Sequence, residues 1–182
     1  MPGMKTAFAL AVLAGIAMVV AYAAITQPPR RIAVNAKRLT NDIWVTEQVV
    51  PENLADIKAR RFASIIDLRP DGEEAGQPSS ESIGKDAQAQ GLAFAYIPVA
   101  HGDIPSQSVD ALAESLALVR KPVLLYCRSG KRAARTWALA EASRAGGLDA
   151  MAIKAAVQSV GQSADDLSES ISARIAARSN GH

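Results

Sequence analysis

An α/β fold with a parallel-rich central sheet flanked by helices follows from three features of the chain. Short apolar runs end at proline or at polar loops, as buried strands do. Between them lie segments whose apolar residues recur at helical spacing. The two kinds of segment alternate, which is the pattern of βαβ units and a largely parallel sheet. The 182 residues suffice for one domain with a real core.

In chain order, the first segment stands apart. "AFALAVLAGIAMVVAYAAIT", residues 7–26, carries no charge and has the length of a bilayer-crossing helix. Residues 1–28 are therefore expected to be an N-terminal transmembrane helix, making the protein a single-pass membrane-anchored one. "AYA" at Ala21–Ala23 has the small-x-small form of a signal-peptide cleavage site, so cleavage after Ala23 and export to the periplasm is the rival expectation. Arg30, Arg31, Lys37 and Arg38 outnumber the charges before the span and pull the following domain toward the cytoplasm.

Residues 29–40 read as a linker and a first extended segment, residues 41–147 as a catalytic α/β domain, and residues 148–182 as a helical extension packing on it. "DIWVTEQ" reads as extended. "PENLADIKARR" opens with Pro51 at a helix start and puts Leu54 and Ile57 on one face. "FASIIDLRP" is a buried strand, "DGEEAGQPSS" a polar loop, and "SESIGKDAQAQG" a weak helix closed by Gly91. "LAFAYIPV" is the next strand. The helix in "PSQSVDALAESLALVRK" carries a stripe of Val109, Leu112, Leu116 and Val119. "PVLLYC" is a further strand, and "KRAARTWALAEASRAGG" a helix ending at paired glycines. In the extension, Ser163 and Asp166 suggest a capping box, with Leu167, Ile171 and Ile175 repeating behind it.

Composition removes several function classes. The net charge of +2 gives no strong field for nucleic acid. A single cysteine excludes an internal disulfide and a two-cysteine redox switch within the chain. Two histidines and no Cys/His cluster of zinc spacing argue against a metal site. Neither a metal nor an organic cofactor is expected.

The chemistry concentrates in "YCRSGKRAARTW". Cys127 stands where a parallel strand ends and a helix begins, the end of an open sheet at which ligands bind. The backbone N–H groups of Arg128, Ser129, Gly130 and Lys131 can curl into an anion-binding nest, backed by a helix N-terminus. Lys131 and Arg132 occupy the first turn, where cations oppose the helix dipole at about 0.3–1 kcal/mol each. A bound anion would remove that conflict. Such surroundings favour a thiolate, the nucleophilic form of cysteine. The bland alternatives are a buried cysteine acting as a small hydrophobe, and cations that are a solvated cluster. For Arg135, one turn deeper, a surface role and an active one stand level.

"CRSGKR" resembles the active loop of rhodanese-type sulfurtransferases. With "DLRPDGEE" at Asp67–Glu74 and "YIPVAHGDI" at Tyr96–Ile104, the stretch from Asn41 to Ala145 is similar to the phosphatase-like domain of bacterial beta-lactamase hydrolase-like proteins, also found fused to persulfide dioxygenases. The resemblance implies a cysteine-phosphatase or rhodanese-like fold. It implies covalent catalysis through Cys127, with Arg128 and Arg132 binding an anion and Ser129, Gly130 and Lys131 completing the loop.

Loop length weighs sulfur against phosphorus. Cysteine phosphatases carry arginine six places after the nucleophile, and that place here is Ala133. Arginine stands five on, at Arg132, and the six-residue loop is of rhodanese size. The expectation is a sulfurtransferase that takes sulfane sulfur from thiosulfate or glutathione persulfide, forms a Cys127 persulfide, and passes it to an external thiol. The alternative is a cysteine-dependent phosphatase with Asp103 as general acid, a residue that could instead cap the following helix. A second alternative is a membrane-tethered module that binds an anion or persulfide without turnover. His101 reads as a surface-loop residue, and Asp67 and Arg69 as possible braces from the neighbouring strand end.

Overall fold

The computed structural model describes residues 32–179, together with Met18. Save for Met18, the expected anchor over residues 7–26 lies outside the described residues, as does the cleavage site after Ala23. Among those described, no helix is long and apolar enough to cross a membrane.

Five strands form one mixed, mostly parallel sheet in the order β1-β2-β5-β3-β4. They are β1 (Lys37–Arg38), β2 (Ile43–Thr46), β3 (Ser64–Asp67), β4 (Ala93–Tyr96) and β5 (Val123–Tyr126). β1 runs antiparallel to β2, and all other pairs are parallel. The helices are α1 (Pro51–Ala59), α2 (Ser80–Ala89), α3 (Ser106–Leu118), α4 (Lys131–Ser143), α5 (Ala150–Ser159) and α6 (Ser168–Ser179), with a short 3₁₀ turn at Asp165–Leu167.

The pleat of the central strands divides the core into two layers. Ile66, Leu68, Val123, Leu125 and Cys127 face one side, against Val109 and Leu112 of α3, Trp137 of α4, Ile153 of α5 and Ile171 of α6. Ile65, Leu124 and Tyr126 face the other, against Leu54 and Ile57 of α1 and Ile83 and Ala87 of α2. Each of these strands is therefore apolar on both faces, which is why β3 and β5 read as continuous runs rather than alternating ones.

Helix α4 is the centre of the first layer. It is buried from Ala133 to Ala142 save for Arg135, and it packs against α3, α5 and α6. Small alanines let those helices approach closely. Its C-terminal carbonyls are met from outside. The Arg178 guanidinium donates to the carbonyls of Glu141 and Arg144 at 3.1 Å, of Gly147 at 3.0 Å and of Leu148 at 2.9 Å. A cation at this end also suits the helix dipole.

Three local expectations are corrected. The helix α4 stops at Ser143, with Arg144 extended, before the paired glycines. Ser163 and Asp166 do not form a capping box. The Ser163 hydroxyl takes the Asp165 N–H at 3.1 Å, and the Asp166 carboxylate turns instead to Arg135, whose guanidinium is the stronger partner. Asp103 does not cap α3, which begins after Pro105 without a side-chain cap.

Candidate active site

Strand β5 lies between β2 and β3, and Cys127 directly follows its last residue. The cysteine is 1% exposed, so its sulfur forms the floor of the loop rather than its rim. Arg128 and Ser129 rise to the surface, and Gly130 returns to the interior as the N-cap of α4. Gly130 has φ +81°, a conformation costly for any other residue. A Cβ there would also stand 3.3 Å from the Thr46 carbonyl oxygen at the end of β2. The loop is pinned at its base, where the Gln48 N–H donates to the Arg128 carbonyl at 3.3 Å.

The result is a run of aligned donors. Among the described residues, no acceptor takes the backbone N–H groups of Arg128 through Ala133. The first protein bond of the helix is that of the Ala134 N–H to the Gly130 carbonyl, at 3.0 Å. Six consecutive unpaired donors beside a helix N-terminus are a cradle for an anion.

Above the loop stands a network that sequence reading did not find. Arg69 is only 3% exposed and spends its whole guanidinium on neighbours. It donates to Glu73 at 2.8 Å, to the Gln48 side chain at 2.7 Å and to Glu74 at 3.0 Å. Glu73 also receives Arg132 at 2.7 Å, and His101 Nε2 lies 3.3 Å from its other oxygen. Glu74 lies 3.6 Å from Arg128. Burial pushes the Glu73 carboxyl up, but the two guanidiniums of Arg132 and Arg69 outweigh it and hold the group down at about 2. The "DGEE" stretch was legible as a polar loop and as part of the "DLRPDGEE" resemblance, with no role given to either glutamate. The spacing Arg69 to Glu73 was a signal for their pairing, but nothing local pointed Glu73 at Arg132, fifty-nine residues on.

Arg132 is therefore committed. Its Nη2 goes to Glu73, and its Nη1 donates to the Val99 carbonyl at 2.5 Å. That second bond holds the loop after β4 beside the cysteine loop. Asp103 sits on that loop, exposed, with no side-chain hydrogen bond to any described residue. Ala133, the position at which a longer loop would carry arginine, is fully buried in the core.

Asp67 and Arg69 do brace the site. The Asp67 carboxylate accepts the Arg69 N–H at 2.8 Å, fixing the turn that aims Arg69. Burial pushes the Asp67 carboxyl up to about 6, against the opposing effect of that bond. Arg135 does not join the cysteine loop. It forms a two-pronged pair with Asp166, both distances 2.6 Å, and ties α4 to the C-terminal extension. Among the described residues, no group of acidic, cysteine and histidine side chains has the geometry of a metal site.

A strand, a cysteine loop cradle and a helix on a three-layer α/β scaffold are the architecture of cysteine-dependent phosphatases. The solved structure of a candidate phosphatase from Neisseria meningitidis shares it, with a TM-score of 0.66 and 26% identity over 76% of this chain and 96% of that one. The kinase-associated phosphatase shares the fold at a TM-score of 0.62 and 14% identity, over 81% of this chain and 97% of that one. Residues 35–144, more than half of the chain, match the model of the family described as "Beta-lactamase hydrolase-like protein, phosphatase-like domain", and the chain belongs to that family. The beta-lactamase hydrolase-like protein of Agrobacterium fabrum is 33% identical over 107 residues, 59% of this chain. The chain spans a quarter of that relative's length. These relationships favour a phosphatase-like enzyme over the sulfurtransferase that loop length led us to expect.

Proposed function

We propose that this protein is a cysteine-dependent phosphatase acting on phosphate monoesters. The observation that carries the reading is the run of unpaired N–H groups from Arg128 to Ala133, directly after Cys127 and into the first turn of α4. Cys127 as thiolate attacks phosphorus, and the cradle donors hold the three non-bridging oxygens as charge develops on them. The bond to the leaving oxygen breaks, and Asp103 gives that oxygen a proton. Water then attacks the cysteinyl phosphate, releasing inorganic phosphate and restoring the thiolate. Arg132, held by Glu73 and Val99, braces the loop and supplies positive charge at its closing end.

One observation favours a second reading. Six places after Cys127, where cysteine phosphatases carry an arginine, stands Ala133, sealed in the core, so the cradle lacks that phosphate-binding side chain. The arginine five places on, at Arg132, instead suits sulfane sulfur transfer from thiosulfate or glutathione persulfide to an external thiol, with the same nucleophile. A sulfite or thiolate leaving group needs no proton, so Asp103 separates the two chemistries.

The test measures both products on one preparation. Phosphate release from p-nitrophenyl phosphate should be abolished in Cys127→Ser and fall by about 10²–10³ in Asp103→Asn. Mass spectrometry of wild type after thiosulfate should show no added sulfur. A persulfide on Cys127 with turnover indifferent to Asp103→Asn would transfer the conclusion to the sulfur reading.

A further inference from the structure

Beside the cysteine loop lies a second cavity of about 440 Å³. Three chain segments build it. His101 and Gly102 come from the loop after β4, Lys131, Arg132 and Arg135 from the first two turns of α4, and Gly161 to Ser163 and Asp166 from the C-terminal extension. The last segment lies beyond residues 35–144, the part of the chain matched by the family model. The wall that closes this cavity is thus supplied by what surrounds the family domain.

The lining is cationic in an uneven way. Arg132 is paired with Glu73, and Arg135 with Asp166. Lys131 is exposed and has no carboxylate within ion-pair distance among the described residues. It stands one helical turn before Arg135, so the two cations share a face of α4. Gly102, also in the lining, has open space where a side chain would be. An ammonium with no direct ion pair, which shares the exposed Asp166 carboxylate at longer range with the guanidinium of Arg135, is a site that gains from a second anion.

We infer that the cavity bounded by Lys131, Arg135 and the segment 161–166 binds a second phosphate of the substrate, so that the preferred substrates are small molecules bearing two phosphates. This rests on the phosphatase reading for the cysteine loop. The reacting phosphate would lie in the N–H cradle, and the distal one would reach Lys131 and draw Arg135 away from Asp166. A compound with one phosphate would fill the cradle and leave the cavity to water.

Binding can be measured without turnover, which keeps the two inferences apart. Calorimetry on full-length Cys127→Ser protein would compare fructose 1,6-bisphosphate with fructose 6-phosphate. The bisphosphate should bind at least about tenfold more tightly. Lys131→Gln, which keeps its backbone N–H, should remove most of that advantage. Asp166→Asn, which releases Arg135, should enlarge it. Equal affinity for the two sugars, or an advantage untouched by Lys131→Gln, overturns the second site even if p-nitrophenyl phosphate is hydrolysed. Failure of wild type to hydrolyse that ester, with the binding preference intact, would overturn the phosphatase reading and leave an anion-binding cavity standing.

Discussion

Glu73 shows how one side chain can organise a site without belonging to its cysteine loop. A carboxylate with 12% of its side chain exposed would ordinarily be costly to bury, and two guanidiniums make it tolerable. Its carboxyl is held at about 2 in the fold against 4.5 in the unfolded chain. A depressed carboxyl contributes stability that is fully present above pH 4.5 and is lost as the pH falls from there toward 2. Glu73→Gln should therefore lower stability at pH 7 by up to about 3 kcal/mol. The gap from wild type should close between pH 4.5 and 2. Urea denaturation at pH 7, 4.5 and 3 measures this, and a gap of constant size would show that the pairing with Arg69 and Arg132 is not what stabilises the fold.

At the scale of elements, the junction of β5 and α4 shapes the candidate site. The strand delivers Cys127, the loop and the first turn of the helix contribute the donors, and Gly130 sets the angle between them. Its left-handed conformation strains any side chain, and a Cβ there would press on the Thr46 carbonyl oxygen at 3.3 Å. Gly130→Ala should cost about 1–3 kcal/mol through backbone strain. It should also cut turnover more than it cuts stability, because the N–H groups would no longer converge. Thermal melting and kcat on the same sample would separate the effects. A variant of wild-type activity would mean that the cradle does not depend on this angle.

At the scale of the whole molecule, the C-terminal extension is part of the core. Ile153, Val157, Val160, Ala164 and Ile171 belong to the same buried cluster as Cys127 and Trp137. Arg178 and Asp166 fasten the extension to the two ends of α4. Ile171→Ala, at a fully buried position, should cost about 2–5 kcal/mol, measurable as a lowered midpoint in chemical denaturation. A loss under 1 kcal/mol would indicate that α6 is an independent appendage.

Much of this was legible in the chain. The apolar residues Ile65, Ile66 and Leu68 and the run Val123–Tyr126 marked the central strands because both faces of a parallel strand are buried. Pro51 and Gly91 marked helix ends through their backbone preferences. Cys127 declared itself through its neighbours, since cations at a helix start have no local justification. These signals are local, and residues a few places apart carry them. What the sequence by itself could not supply were pairings across long separations. The meeting of Glu73 with Arg132, of Arg132 with the Val99 carbonyl, and of Arg135 with Asp166 is decided where β3, β4, α4 and the extension converge. A charged side chain in a polar loop has the same local appearance whether it faces solvent or a buried guanidinium. The direction it takes depends on packing between elements, and that packing exists only in the folded molecule.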